Sequence, residues 1–191
     1  MTPEARDPER SYHSELLIRG SLKPPLHVER GAALLYQVTV NNELNLTVNP
    51  KSPSRGQSAF QTDLCVSEQR PHDVHLPRVV LEFKSSLTTH DVLTYSTKAR
   101  KHKQVYPYLR YGIVVADELA IPRRFFVHNE ALDFCLVLGT VRGSSLSRVL
   151  ANLLRAEVRA SRRLESIFYG KLSASLFRSE PTLRDPDPRA A

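Results

Sequence analysis

The chain has little cysteine and no spacing of it that would tie a fold together. Cys65 and Cys135 are its two thiols. Both fall inside apolar, strand-like runs where a thiol behaves as a small buried hydrophobe, so no disulfide framework is implied. Long hydrophobic runs are missing too. Nothing approaches the ~18 apolar residues of a membrane-spanning helix, and the polar opening from Met1 to Asp7 lacks the apolar stretch of a secretory signal. A cytoplasmic protein with no membrane partner is expected. There is no Gly-rich phosphate loop, which argues against kinase or ATPase chemistry. No Gly-x-Ser-x-Gly elbow frames Ser85 or Ser86, which leaves a serine hydrolase without support. Seven histidines are present, yet His72, His75, His90 and His102 have no Cys or His partner at a zinc spacing and read as solvated or phosphate-proximal. Acids are missing from one particular place: between His90 and Pro107 the chain carries Lys98, Arg100, Lys101, His102, Lys103 and Gln104 with no acid after Asp91. A merely solvated helix face normally interleaves both signs.

What is present fits a soluble α/β protein. At 191 residues the chain is long enough for one domain with a proper core, and Lys+Arg of 27 against Asp+Glu of 20 gives a net charge of +7, which favours a polyanionic partner, nucleic acid first. The core is expected over about residues 28–140, a long amphipathic helix over about 144–170, and loose tails over about 1–10 and 179–191. Tyr12 to Arg19 suits a short helix that Lys23-Pro24-Pro25 breaks. Leu35 to Val40 and Leu44 to Val48 flank Asn41-Asn42 and read as a β-hairpin, with a helix starting near Glu29 as the alternative. Ser67 to Pro77 reads as a loop between strands. Thr88 with Asp91 three residues on is a capping box, so a helix starts there and stops before Pro107. Tyr111 to Ala116 is a buried strand, parallel to the one before the helix through a right-handed crossover. Phe125 to Val127 and Phe134 to Leu138 read as further strands. Ser144 or Ser145 caps the long helix, whose apolar face holds Leu146, Val149, Leu150, Leu153, Leu164, Ile167 and Phe168. Arg148, Arg155, Arg159 and Arg162 fall opposite. Glu157 interrupts the apolar stripe and marks either a dimer contact or a helix edge.

The chemistry concentrates in Val79-Val80-Leu81-Glu82-Phe83-Lys84. On a strand, Glu82 and Lys84 project from one face while Leu81 and Phe83 enter a core. Burying such charges is costly unless they are used. Upstream, Ser58 to Val66 is a second strand-like segment with Asp63 at its centre. If the two strands are neighbours, Asp63 and Glu82 meet, and two adjacent carboxylates are relieved by a cation such as Mg²⁺. The plainer alternative makes Glu82 and Lys84 an exposed edge pair and Asp63 a turn acid.

Asp63, then Glu82-Phe83-Lys84, then a basic helix and a buried parallel strand resemble the PD-(D/E)XK nuclease superfamily over Ser58 to about Ala116, and Arg55 to Asp63 looks like its restriction-type members. Thr62 stands where the eponymous Pro would be. Gln104-Val105-Tyr106-Pro107-Tyr108 is similar to the Gln-x-x-x-Tyr motif of the RecB-type exonuclease branch. The resemblance implies a restriction-endonuclease-like mixed β-sheet flanked by helices. It also implies a Mg²⁺-dependent DNA endonuclease, with Mn²⁺ able to substitute, that leaves 5′-phosphate ends. Asp63 and Glu82 would bind the metal and Lys84 would orient the attacking water; Lys98, Lys101, Gln104 and Arg55 would hold DNA. A further Glu from the first core helix, Glu29 or Glu15, is also implied, and a homodimer would serve two-strand cutting. The alternatives are a non-catalytic nucleic-acid-binding or assembly module on the same fold, and an RNA-processing nuclease.

Overall fold

The computed structural model describes residues 13–139, 141, 144–178 and 181–183. Most of the two expected tails, Tyr12 and the side chains of Ser144 and Ser145 lie outside the described residues. In chain order the elements are helix α1 over residues 13–19, strands β1 (Leu26–Arg30), β2 (Ala33–Leu35), β3 (Ala59–Gln61), β4 (Leu64–Arg70) and β5 (Val74–Lys84), helix α2 (Thr89–Val105), strand β6 (Arg110–Val115), helix α3 (Arg123–His128), strand β7 (Phe134–Val137) and helix α4 (Ser144–Phe168). The architecture is α/β: a five-stranded mixed sheet ordered β1-β4-β5-β6-β7, flanked by helices, with a separate two-stranded sheet of β2 and β3.

Strand β5 is the spine. It pairs antiparallel with β4 (Leu64 opposite Leu81) and parallel with β6 (Glu82 opposite Ile113), so the expected strand, helix, parallel strand unit is formed by β5, α2 and β6. Every residue from Pro77 to Phe83 is buried. Val79, Leu81 and Phe83 meet Ile18 of α1 and Leu150, Leu154 and Val158 of α4 on one side. Val80 meets Tyr95 and Ala99 of α2 and Tyr111, Ile113 and Val115 of β6 on the other. A strand covered on both faces reads as a nearly continuous apolar run, as this one does. Each fully buried aliphatic side chain contributes about 1.5–3 kcal/mol. Parallel β6 and β7 approach through Gly112, where a Cβ would sit 2.2 Å from the Phe134 ring, so only glycine fits.

The stretch read as a loop from Ser67 to Pro77 is mostly strand. Strands β4 and β5 run on to Arg70 and from Val74, joined by the turn Pro71–Asp73, with His72 (φ 63°) and Asp73 (φ 55°) in the left-handed region. Pro77 is tolerated because β6 joins β5 only from Val79 onward, so no ladder bond is asked of its nitrogen on that side. A bulge lets Arg78 go unpaired between Pro77 and Val79, and turns it onto the α4 face. There the fully buried guanidinium donates to Glu68 at 2.8 Å and to Glu165 at 2.5 Å, while Arg162 adds a bond to Glu68 at 3.0 Å.

Other expectations give way to packing. The hairpin around Asn41-Asn42 is reduced to a single bridge between Val40 and Leu46, because its apolar positions Val38, Val40, Leu44 and Leu46 stay exposed and bury nothing against a partner. Strand β2 pairs instead with β3, and no helix starts near Glu29. Phe125 to Val127 is not a strand but part of α3, started by Pro122; of the three, only Phe125 is buried. In α4 the buried line is Leu150, Ala151, Leu154, Val158 and Ser161, rotated from the expected stripe, and Ile167 and Phe168 are exposed. Glu157 accepts from Arg110 Nε at 2.7 Å, so its charge in the stripe has a partner within the chain.

Candidate functional site

Glu82 and Lys84 project from β5 onto the α2 face, as their alternation with Leu81 and Phe83 requires. Asp63 is not at the centre of a strand. It stands at the corner where the chain leaves β3 in one sheet and enters β4 in the other. This corner serves the site: β4 has turned away, and the Asp63 side chain takes the next ladder bond, accepting from the Phe83 backbone N–H at 2.8 Å. The β4–β5 register, continued by one residue from Leu64 opposite Leu81, sets Asp63 opposite Glu82. From there the negative charge of Asp63 bears on Glu82.

Glu82 is 1% exposed. Burial first, and the Asp63 carboxylate second, push its carboxyl from 4.5 up to about 7, against the opposing pull of Lys98 and Tyr111. Tyr111, across the parallel β5–β6 pair, donates its hydroxyl to Glu82 Oε1. Lys98 Nζ stands 3.6 Å from the same oxygen. Lys84 Nζ lies 3.8 Å from Asp91, the capping-box acid of α2, and 5.5 Å from the centre of the Tyr95 ring, whose centre is 5.0 Å from Lys98 Nζ. A single ring thus touches both ammonium groups. Asp91 also fixes the start of α2: Thr88 Oγ1 accepts from its N–H at 3.1 Å, and its carboxylate accepts from the Thr88 N–H at 2.9 Å. The cap that starts the helix therefore positions Lys84 as well.

Behind this group sits His102, fully buried on α2. Its Nδ1–H donates to the Leu35 carbonyl at 3.0 Å, its ring stacks on Tyr111 at 5.7 Å, and its Nε2 has no hydrogen-bond partner among the described residues. Burial, helped by the positive charge of Lys98, pulls it down to about 4, so the ring is neutral. The solvated or phosphate-proximal role expected of it is excluded by this burial. Tyr95, His102 and Tyr111 are the site residues the sequence reading missed. The available signal was the parity of β6, because a tyrosine two positions before Ile113 on a strand parallel to β5 must share the face of Glu82.

The remaining expected residues are more scattered. Lys98 joins the site, whereas Lys101 and Gln104 are exposed on α2. Arg55 is exposed and donates to Gln61 at 3.3 Å, outside the carboxylate pair. Tyr108 diverges from Gln104: α2 ends before Pro107, and Tyr108 is buried with Arg78 5.5 Å from its ring centre. Glu29 is exposed on β1, paired with Cys65 and so on the α2 face. Glu15 is on α1, across the sheet, held by Arg19 at 2.5 Å and Arg30 at 3.7 Å. Cys65 and Cys135 are pushed by burial to about 12 and stay thiols.

Among the described residues no three His, Cys, Asp or Glu side chains converge on one point. Mg²⁺ needs fewer, usually one or two carboxylates completed by water and phosphate oxygens. Asp63 uses Oδ2 for Phe83, and Glu82 uses Oε1 for Tyr111 and Lys98. Glu82 is raised by burial first and by the Asp63 charge second, and a cation would relieve the second. The donor set fits such a cation.

Scans against protein-family models and curated proteins return no match for this chain. Among the described residues no helix is long and apolar enough to cross a membrane.

Proposed function

We propose that the chain is a Mg²⁺-dependent deoxyribonuclease of the PD-(D/E)XK, restriction-endonuclease-like kind, hydrolysing phosphodiester bonds to leave 5′-phosphate ends. The observation that carries this reading is the juxtaposition of two carboxylates, Asp63 at the β3–β4 corner and Glu82 on the central strand β5, with Lys98 3.6 Å from Glu82. An arrangement that costs stability needs a use. Asp63 and Glu82 would hold the metal, which supplies Lewis-acid polarisation of the scissile phosphate. Lys84, tethered by Asp91 and Tyr95, would orient the attacking water and stabilise the developing negative charge. Tyr111 holds Glu82 in place. Lys98 stands where it can meet a phosphate, while Lys101, Gln104 and Arg55 are exposed to a longer backbone path.

Incubating supercoiled plasmid with the protein and Mg²⁺ or Mn²⁺, beside Asp63→Ala and Lys84→Ala, tests this. Nicking by the parent and loss of at least about a hundredfold in both variants is expected. Equal nicking by all three, or none across varied metal, DNA and RNA, overturns it; cleavage confined to RNA moves the same site to RNA processing.

One observation favours a second reading. Lys98 lies 3.6 Å from Glu82 and already supplies positive charge to the pair, as a non-catalytic nucleic-acid-binding module on the same fold would need. Binding of nucleic acid that is indifferent to Mn²⁺ and to Asp63→Ala would select it.

A further inference from the structure

Next to the carboxylate pair stands a feature that the hydrolytic chemistry does not use. The small β2–β3 sheet places Tyr36 and Phe60 on one face, with the ladder continued by the Tyr36 N–H donating to the Ser58 carbonyl at 2.9 Å. Their rings stack at 4.1 Å with 22° between planes. Both are only half-buried, although aromatic rings of this size usually contribute most when fully covered. Phe60 is anchored from behind by the His102 ring, 5.8 Å away and edge-on. Lys98 links this pair to the carboxylates: its Nζ is 3.6 Å from Glu82 and 5.9 Å from the centre of the Phe60 ring. The segment that joins β2 to β3 carries the exposed Lys51 and Arg55, and the whole chain is at +7.

A partly exposed aromatic stack beside an ammonium group, on a basic chain, is the combination that binds single-stranded nucleic acid. The rings take the faces of unpaired bases, and the cations follow the phosphates. A duplex offers no free base face to such a platform. We propose that Tyr36 and Phe60 stack an unpaired base, so that the substrate presented to Asp63 and Glu82 is single-stranded or locally opened nucleic acid. This rests on the nucleic-acid reading of the site but not on cleavage. Lys98 then has two duties, facing the phosphate next to the stacked base and offsetting the charge of Glu82.

The test is made on the full chain in EDTA, so that no strand is cut. Fluorescence anisotropy compares a ~30-nucleotide single-stranded DNA with a blunt duplex of equal length. Single-stranded DNA carrying 2-aminopurine reports stacking directly by loss of its emission. The parent is expected to bind the single strand at least about tenfold more tightly than the duplex and to quench 2-aminopurine. Tyr36→Leu and Phe60→Leu should each weaken single-strand binding by about tenfold, the scale of one lost stacking contact, and leave duplex binding unchanged. Equal affinity for the two forms, or unaltered single-strand binding in variants whose circular dichroism melts match the parent, overturns the proposal. If Phe60→Leu fails to fold, Tyr36→Leu and the 2-aminopurine signal of the parent decide, and absence of quenching counts against it. A chain that stacks bases but never nicks plasmid keeps this inference and loses the nuclease reading. A chain that nicks duplex without preferring single strands does the reverse.

Discussion

Glu82 concentrates the conflict between folding and use. Its carboxyl is raised from 4.5 to about 7, by burial first and by Asp63 second. The folded chain therefore keeps a proton that the unfolded chain releases above pH 4.5. This contribution favours the fold most below pH 4.5 and is lost as pH rises to about 7. Glu82→Gln keeps the shape and removes the charge. Its melting temperature should match that of the parent near pH 4 and exceed it by several degrees at pH 8, corresponding to about 3 kcal/mol, while plasmid nicking is abolished. Calorimetry at the two pH values checks this, and a variant less stable than the parent at pH 8 would contradict it. His102 works in the opposite sense. Lowered from 6.5 to about 4 by burial, it favours the fold above pH 6.5, and that contribution is lost as pH falls toward 4. Glu82 and Lys84 were legible in the sequence because charge on an apolar strand is conspicuous, whereas Asp63, expected at a strand centre, stands at the β3–β4 corner. Tyr111 and His102 were not, because a tyrosine in an apolar strand reads as core and a histidine among lysines reads as surface.

Among the elements, α2 was the most legible, since its capping box and Pro107 are local signals that tertiary packing did not override. Thr88→Ala removes the cap and should cost about 1 kcal/mol, lowering the melting temperature by about 2–4 °C, with Thr88→Ser recovering most of it. Loss of the cap also loosens Asp91, so nicking should fall in Thr88→Ala more than its stability does. The N-terminal half of β5 was the least legible. His75, Pro77 and Arg78 look like loop residues, and only Glu68 from β4 together with Glu165 from α4 makes a buried arginine acceptable there. Arg78→Met takes the buried cation from between those acids, leaving Glu68 to Arg162 and Arg70 and Glu165 to Arg70, and should cost about 3 kcal/mol, read from urea unfolding; a variant as stable as the parent would show that the buried arginine adds nothing. The misread α3 has a simpler cause: a run of three apolar residues fits a strand or a turn of helix equally well, and only flanking structure decides.

Over the whole molecule, the sheet separates two chemically different faces. The α4 face carries the ion cluster over one core cluster, and the α2 face carries the other core cluster with the carboxylates, Lys98 and the half-buried Phe60. If the site takes a cation, Mg²⁺ or Mn²⁺ should raise the melting temperature of the parent and not of Asp63→Ala. The gain should be larger at pH 8 than at pH 6, because Glu82 must lose its proton to ligate. Thermal scans with metal and with EDTA at both pH values provide the check, and a metal-independent melt in the parent would remove the cation from the proposed mechanism.

The sequence by itself determined the α/β class, the strand of Glu82 and Lys84, the capped basic helix and the parallel strand after it. Each of these is written in patterns a few residues long, set by side-chain alternation, helix capping and the missing N–H of proline. Only the tertiary structure decided that Asp63 meets Glu82, that Tyr111 and Lys98 close around the pair, that Glu15 lies across the sheet, and that Arg78 is buried. Those outcomes depend on strand register, on a bulge and on which helix covers which face. They are set by contacts between residues far apart in the chain, and no local pattern encodes them.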